Sequence, residues 1–84
     1  MKWFLFTGKY CKNCAPMKRN MDKVGIRFEE ISTDTTNGKK MSGICKVSCL
    51  PFLALMRDGK PIETYPGLLP IGRLEKIKKM YGGK

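Results

Sequence analysis

Cys11 and Cys14 stand two residues apart in the run Tyr10-Cys11-Lys12-Asn13-Cys14, and two further thiols, Cys45 and Cys49, follow with three residues between them. A pair at the first spacing can close a local disulfide, supply half of a metal site, or pack as two small apolar residues. The element on which the pair sits decides among these chemistries. Residues 2–7 are aromatic and apolar without polar alternation, which reads as a short buried strand ending at Gly8. From Cys14 to Val24 the apolar positions Cys14, Met17, Met21 and Val24 recur at spacings of three and four, with Lys18, Arg19, Asp22 and Lys23 on the other side. That is an amphipathic helix, and Gly25 stops it.

Cys11 therefore falls between the end of a strand and the beginning of a helix. Unpaired backbone N–H groups and the positive end of the helix dipole favour a thiolate there, and Lys9 and Lys12 add positive charge. A fall in pKa from about 8.5 to about 7 would raise the thiolate fraction at pH 7 from roughly 3% to about half. Cys11 is the expected nucleophile, and Cys14, one turn inward and more easily shielded, the expected resolving thiol. This setting favours redox use. A zinc site built from Cys11, Cys14, Cys45 and Cys49 stays chemically open, although structural ribbons carry two closely matched knuckles and C-x-x-x-C departs from that pattern.

The remaining elements must hold this pair. A second strand is expected over 26–31, before the polar stretch 32–38; the strand-helix-strand order makes the two strands parallel neighbours. A weaker helical pattern spans 37–47, with Met41, Ile44 and Cys45 on one side and Ser42 and Gly43 making it short or irregular. Pro51 opens the apolar run 52–56, Asp58-Gly59 supplies a tight turn, and 62–65 returns as the other strand of a hairpin. Pro70 starts a last helix carrying Ile71, Leu74 and Ile77, and Gly82-Gly83 ends it ahead of a frayed tail at 82–84. The expected order is β-α-β-α-β-β-α, an α/β fold with a four-stranded mixed sheet flanked by helices.

Composition narrows the class. Eighty-four residues suit one small domain, 1–84, and are too few for two. With 42% hydrophobic and 29% charged residues, the chain has the makeup of a soluble globule and not of a disordered tail. Its longest apolar runs, 3–6 and 53–56, fall far short of the roughly 20 residues a bilayer span needs, and Lys2 is followed by too few apolar residues for a signal peptide. A cytoplasmic location is expected, where thiols serve redox or metal chemistry and not structural disulfides. Seventeen Lys and Arg against seven Asp and Glu give a net charge of +10, which favours acidic partners. No nucleic-acid motif accompanies that charge, so acidic protein surfaces are the expected partners.

Taken together, Cys11-Lys12-Asn13-Cys14, the later Leu50-Pro51 before a strand, and Gly67 after the final strand resemble the thioredoxin and glutaredoxin superfamily over nearly the whole chain. The resemblance implies a minimal thioredoxin fold, a cis Leu50–Pro51 peptide opposite the cysteines, and no bound cofactor beyond a redox-active Cys11–Cys14 disulfide. It places Tyr10, Lys12, Asn13, Leu50, Pro51 and Gly67 at the substrate surface, with the Leu50 backbone against an extended substrate segment. Its expected partners are protein disulfides and a thioredoxin-reductase-like flavoenzyme. Ribonucleotide reductase is among the substrates that small glutaredoxin-like members reduce. The flanking residues differ from the Trp-Cys-Gly-Pro-Cys of thioredoxins and the Cys-Pro-Tyr-Cys of many glutaredoxins.

Other departures concern the surroundings of the pair. Leu5 holds the approximate place of the buried Asp of thioredoxins; Glu30 approaches from another direction at most, and an exposed strand carboxylate is the expected reading of it. The acidic anchor by which glutaredoxins bind glutathione is missing from Gly67-Leu68-Leu69-Pro70, which favours a reductant of protein disulfides over a glutathione-dependent enzyme. Pro16 is unusual so near Cys14. Cys45 and Cys49 resemble the extra C-x-x-x-C-x-Pro thiols of some vertebrate thioredoxins, and bystander or secondary redox chemistry is expected of them.

Overall fold

The computed structural model describes residues 1–82. Its elements are β1 (Lys2–Thr7), α1 (Cys14–Val24), β2 (Glu29–Ser32), α2 (Thr36–Cys45), β3 (Phe52–Arg57), β4 (Lys60–Pro66) and α3 (Ile71–Tyr81). The sheet runs β2-β1-β3-β4. β1 pairs parallel with β2 and antiparallel with β3, and β4 returns antiparallel to β3. This is the expected β-α-β-α-β-β-α order with a mixed four-stranded sheet.

Both faces of the sheet are covered, which is why β1 and β3 carry apolar residues without alternation. On one face Trp3, Leu5, Leu53 and Leu55 pack with Met17 and Met21 of α1 and with Leu74 and Ile77 of α3. On the other, Phe6, Phe52, Ala54 and Met56 meet Cys45 and Met41 of α2. Central β1 thus delivers its carboxyl end, Thr7 and Gly8, to one rim of a rigid double-faced core.

Three elements differ from the sequence expectation by more than one residue at an end. β2 starts at Glu29 and not at residue 26, because Gly25 adopts a left-handed φ of 84° and the N–H groups of Gly25 and Ile26 close α1 by donating to Asp22 O and Met21 O. Ile26 is then spent as the buried apolar contact that follows such a helix end. α2 begins at Thr36, earlier than expected, since the Thr35 hydroxyl accepts the Gly38 N–H at 2.9 Å. It runs without interruption through Ser42 and Gly43 and ends at Cys45, where Lys46 turns left-handed at φ 56°. β4 is longer than 62–65, and it tolerates Pro61 and Pro66 because it is an edge strand. Of the expected tail at 82–84, only Gly82 lies within the described residues.

Candidate active site

The site is built on the loop between β1 and α1. The Cys11 N–H donates to Gly8 O at 3.3 Å, which folds the loop back before the helix starts. Cys14 is the first residue of α1 and is buried; Cys11 precedes it and is half-buried, so Cys11 carries the accessible sulfur. The two form a disulfide with their Cα atoms 5.5 Å apart. Asn13 occupies the N-cap position without offering its side chain to the helix, and the first turn holds no acidic residue. The open N–H groups of α1 are therefore free to face a charge on Cys11. Pro16 sits in that same first turn, where its missing N–H has no helical acceptor to lose.

Lys12 and Asn13 are exposed, and Tyr10 is 87% exposed with the Lys9 ammonium 5.8 Å from its ring centre. The Leu50–Pro51 peptide is cis, the geometry the resemblance implies. Pro51 is buried, and its carbonyl accepts the Gly67 N–H at 2.8 Å, which ties the end of β4 to the start of β3. Leu50 lies over Gly8: a Cβ added there would sit 2.6 Å from Leu50 Cδ1. The loop carrying Leu50 and Pro51 is thereby packed onto the loop carrying Cys11. Seven residues read from the sequence, Tyr10 to Cys14 with Leu50 and Pro51, share this rim, and Gly67 joins it through Pro51.

A third segment fastens the rim, and sequence reasoning missed it. After β2, the Thr33 N–H and hydroxyl both donate to Thr7 O, at 2.8 and 3.1 Å, and Asp34 Oδ2 accepts the Lys9 N–H at 2.9 Å. The Ser-Thr-Asp-Thr composition after a strand was the available signal, since such side chains commonly bond nearby backbone.

Glu30 is exposed, as expected of a strand carboxylate, but it is not unpartnered. The register sets it beside Leu5. Its Oε2 accepts the hydroxyl of buried Thr7 at 2.8 Å, and Lys18, one turn beyond Cys14, donates to Oε1 at 3.2 Å. The Thr7 hydrogen bond holds the Glu30 carboxyl below its ordinary value of 4.5; partial burial opposes this and Lys18 reinforces it. A carboxyl lowered in the folded state adds stability above its unfolded pKa, and that stability disappears as the pH falls through the folded value. Glu30→Gln should therefore cost stability at pH 7, by no more than about 1 kcal/mol for so exposed a pair. Urea titrations at descending pH should show the gap to wild type closing below 4.5; a gap that persisted there would remove this role.

Cys45 and Cys49 do not join the first pair. Cys45 is buried against Met56, with Sγ 3.5 Å from Sδ, and burial pushes its thiol pKa up. Cys49 is exposed, two residues before Pro51, and both thiols are free. Among the described residues no three Cys, Asp or Glu side chains gather closely enough to share a metal ion, so the four sulfurs do not form the tetrahedral set that a zinc reading requires. Mass-resolved alkylation of the oxidised native protein should label Cys49 first and leave Cys45 unmodified until denaturant is added. Equal labelling rates would contradict the placement of Cys45.

No family model matches the chain. It is 26% identical over 68 residues to the thioredoxin of Bacillus subtilis (strain 168), a match covering 80% of this chain and 65% of that relative. Among solved structures it is similar to thioredoxin 1 from Thermosipho africanus TCF52B, with a TM-score of 0.74 at 16% identity over 96% of this chain and 93% of the other. A mutant thioredoxin from Halobacterium salinarum NRC-1 gives 0.78 at 19%, over 95% and 73%. The fold is the thioredoxin fold. The expected likeness to the thioredoxin and glutaredoxin superfamily is supported by this curated relative and by the architecture. The match spans just under two thirds of the length of the curated thioredoxin.

Proposed function

We infer that residues 1–84 work as one thioredoxin-like unit, a dithiol-disulfide oxidoreductase that reduces protein disulfides. The observation that carries this is the half-buried Cys11, disulfide-bonded to buried Cys14 at an uncapped helix N-terminus beside the cis Leu50–Pro51 loop. In the reduced protein the Cys11 thiolate attacks one sulfur of a substrate disulfide. That S–S bond breaks, a mixed disulfide with Cys11 forms, and the departing thiolate takes up a proton. Cys14 then gives up its proton and attacks Cys11 Sγ, releasing the second substrate thiol. The substrate gains two electrons, and the protein is left with the Cys11–Cys14 disulfide seen here.

The loop geometry supports distinct roles for the neighbours. Leu50 and Pro51 present the substrate segment to Cys11, with Gly67 holding Pro51 from behind; Tyr10, Lys12 and Asn13 form the exposed lip. A reductase of the thioredoxin-reductase class, a flavoenzyme, restores the dithiol, and the chain itself needs no bound cofactor. The disulfide of a ribonucleotide reductase is a substrate of the required kind. Two free thiols among four cysteines fit a reducing compartment, the cytoplasm. Among the described residues no helix is long and apolar enough to cross a membrane.

Glutathione dependence is the less favoured reading, because Pro70 begins α3 without a side-chain cap and no acidic residue lies in its first turn. The test is catalysed reduction of a protein disulfide by dithiothreitol, followed as the appearance of substrate thiols. Acceleration by the chain supports the reading; a rate equal to that with dithiothreitol alone contradicts it.

A further inference from the structure

Beside the redox loop lies a groove of about 330 Å³ whose lining includes Lys39, Thr33, Ser42, Ser48, Cys49 and Leu50. It offers the Lys39 ammonium and the Ser48 hydroxyl and no carboxylate, while the Thr33 and Ser42 hydroxyls donate to Thr7 O and Gly38 O. Leu50 joins this groove to the reactive centre, since the same side chain packs over Gly8, three residues before Cys11. A segment joined to Cys11 by a disulfide and passing Leu50 would reach the groove.

The lysines on this rim form no ion pair among the described residues. Among the described residues the ion pairs within 4 Å are Lys2 with Glu29 and Lys18 with Glu30. Lys9 and Lys12 flank Cys11, Lys39 sits in the groove, and none of the three has a carboxylate partner. The nearby acid, Asp34, is held by the Lys9 backbone N–H, which its Oδ2 accepts at 2.9 Å, and lies 3.5 Å from Ser32 Oγ; it keeps its charge, so the rim carries three lysines against one carboxylate.

We propose that this groove receives an acidic side chain, so that the preferred substrates carry Asp or Glu within a few residues of the disulfide that Cys11 attacks. The inference rests on the disulfide reductase reading and adds its substrate class. Glutathione also brings carboxylates, but its free ammonium needs an anionic partner, and the groove lining holds none. A protein segment has no such requirement. The gain expected from one or two partly exposed ion pairs is about fivefold in kcat/KM, and it weakens as salt screens the pairs.

The experiment uses the full chain and three disulfides of one peptide: with Glu two residues from the half-cystine, with Gln there, and the Gln peptide joined to glutathione. At low ionic strength the Glu peptide should be reduced about fivefold faster than the Gln peptide, with the advantage lost in about 0.5 M salt. Lys39→Glu should abolish or invert the Glu-to-Gln ratio, while Lys60→Glu, at the start of β4, should leave it unchanged. A ratio near one, or a ratio indifferent to Lys39→Glu, overturns the proposal. So does a Lys39→Glu effect confined to the glutathione disulfide, which would assign the groove to glutathione. Failure to reduce any of the three removes the oxidoreductase reading itself.

Discussion

Replacing Cys11 by Ser should lower catalysed disulfide reduction by at least about a thousandfold, because the accessible sulfur that must attack is then gone and a serine hydroxyl is not ionised at neutral pH. Cys14→Ser should fail differently. Its Cys11 thiolate still attacks, but the buried neighbour cannot release the product, so the mixed disulfide accumulates. Mass spectrometry of the two variants after exposure to a protein disulfide separates the roles. The Cys14→Ser chain should gain the mass of the substrate, and the Cys11→Ser chain should not. Turnover retained by Cys11→Ser would overturn the nucleophile assignment, and adducts on Cys11→Ser alone would reverse the two roles. A Cys11–Cys49 disulfide forming in Cys14→Ser would show that the exposed thiol near Pro51 takes over as resolving group, against its bystander role.

The second large effect is on folding and lies in α2. Gly38 is buried in the first turn of that helix, and a Cβ placed on it would meet Ser32 O at 1.7 Å. The obstacle is backbone at the end of β2 and cannot rotate away. Gly38→Ala must push α2 off the β2 end and break the Thr35 cap, at a cost of about 3 kcal/mol. For a domain of this size that is a fall in Tm of roughly 15 °C. Gly43 gives the internal comparison, since it lies in the same helix with open space around its missing Cβ. Gly43→Ala should stabilise by about 0.5–1 kcal/mol through helix propensity alone. Thermal melts of both variants decide the matter: equal shifts, or a stable Gly38→Ala, would contradict the contact. The consequence reaches the site, because the segment between β2 and α2 supplies Thr33 and Asp34, which fasten Thr7 and Lys9.

These two sites mark where sequence reading reaches and where it stops. β1 and α1 were legible to the residue, Lys2–Thr7 and Cys14–Val24, because apolar runs, three-and-four spacing and a closing glycine are local signals. The cysteine pair followed from them. β2 was misplaced at its start because Ile26 has strand character but is used to close α1, and only the helix-end hydrogen bond to Met21 reveals that use. α2 looked irregular because Ser42 and Gly43 weaken helix propensity, whereas its tertiary packing through Met41 and Cys45 overrides them. Glu30 read as a solvent-facing carboxylate until the parallel register set it beside Leu5, with Thr7 and Lys18 as partners. The Gly8–Leu50 and Gly38–Ser32 approaches are likewise contacts between separate segments, which no pattern within either segment announces.

The central claim is that Cys11 and Cys14 form a reversible redox couple while Cys45 and Cys49 do not take part. Mass-resolved alkylation after equilibration across a series of thiol redox buffers measures it directly. One two-electron transition is expected, in which Cys11 and Cys14 lose reactivity together, with Cys45 and Cys49 unpaired throughout. Cys11 remaining alkylatable across the whole series, or pairing with Cys45 or Cys49 in place of Cys14, would contradict it.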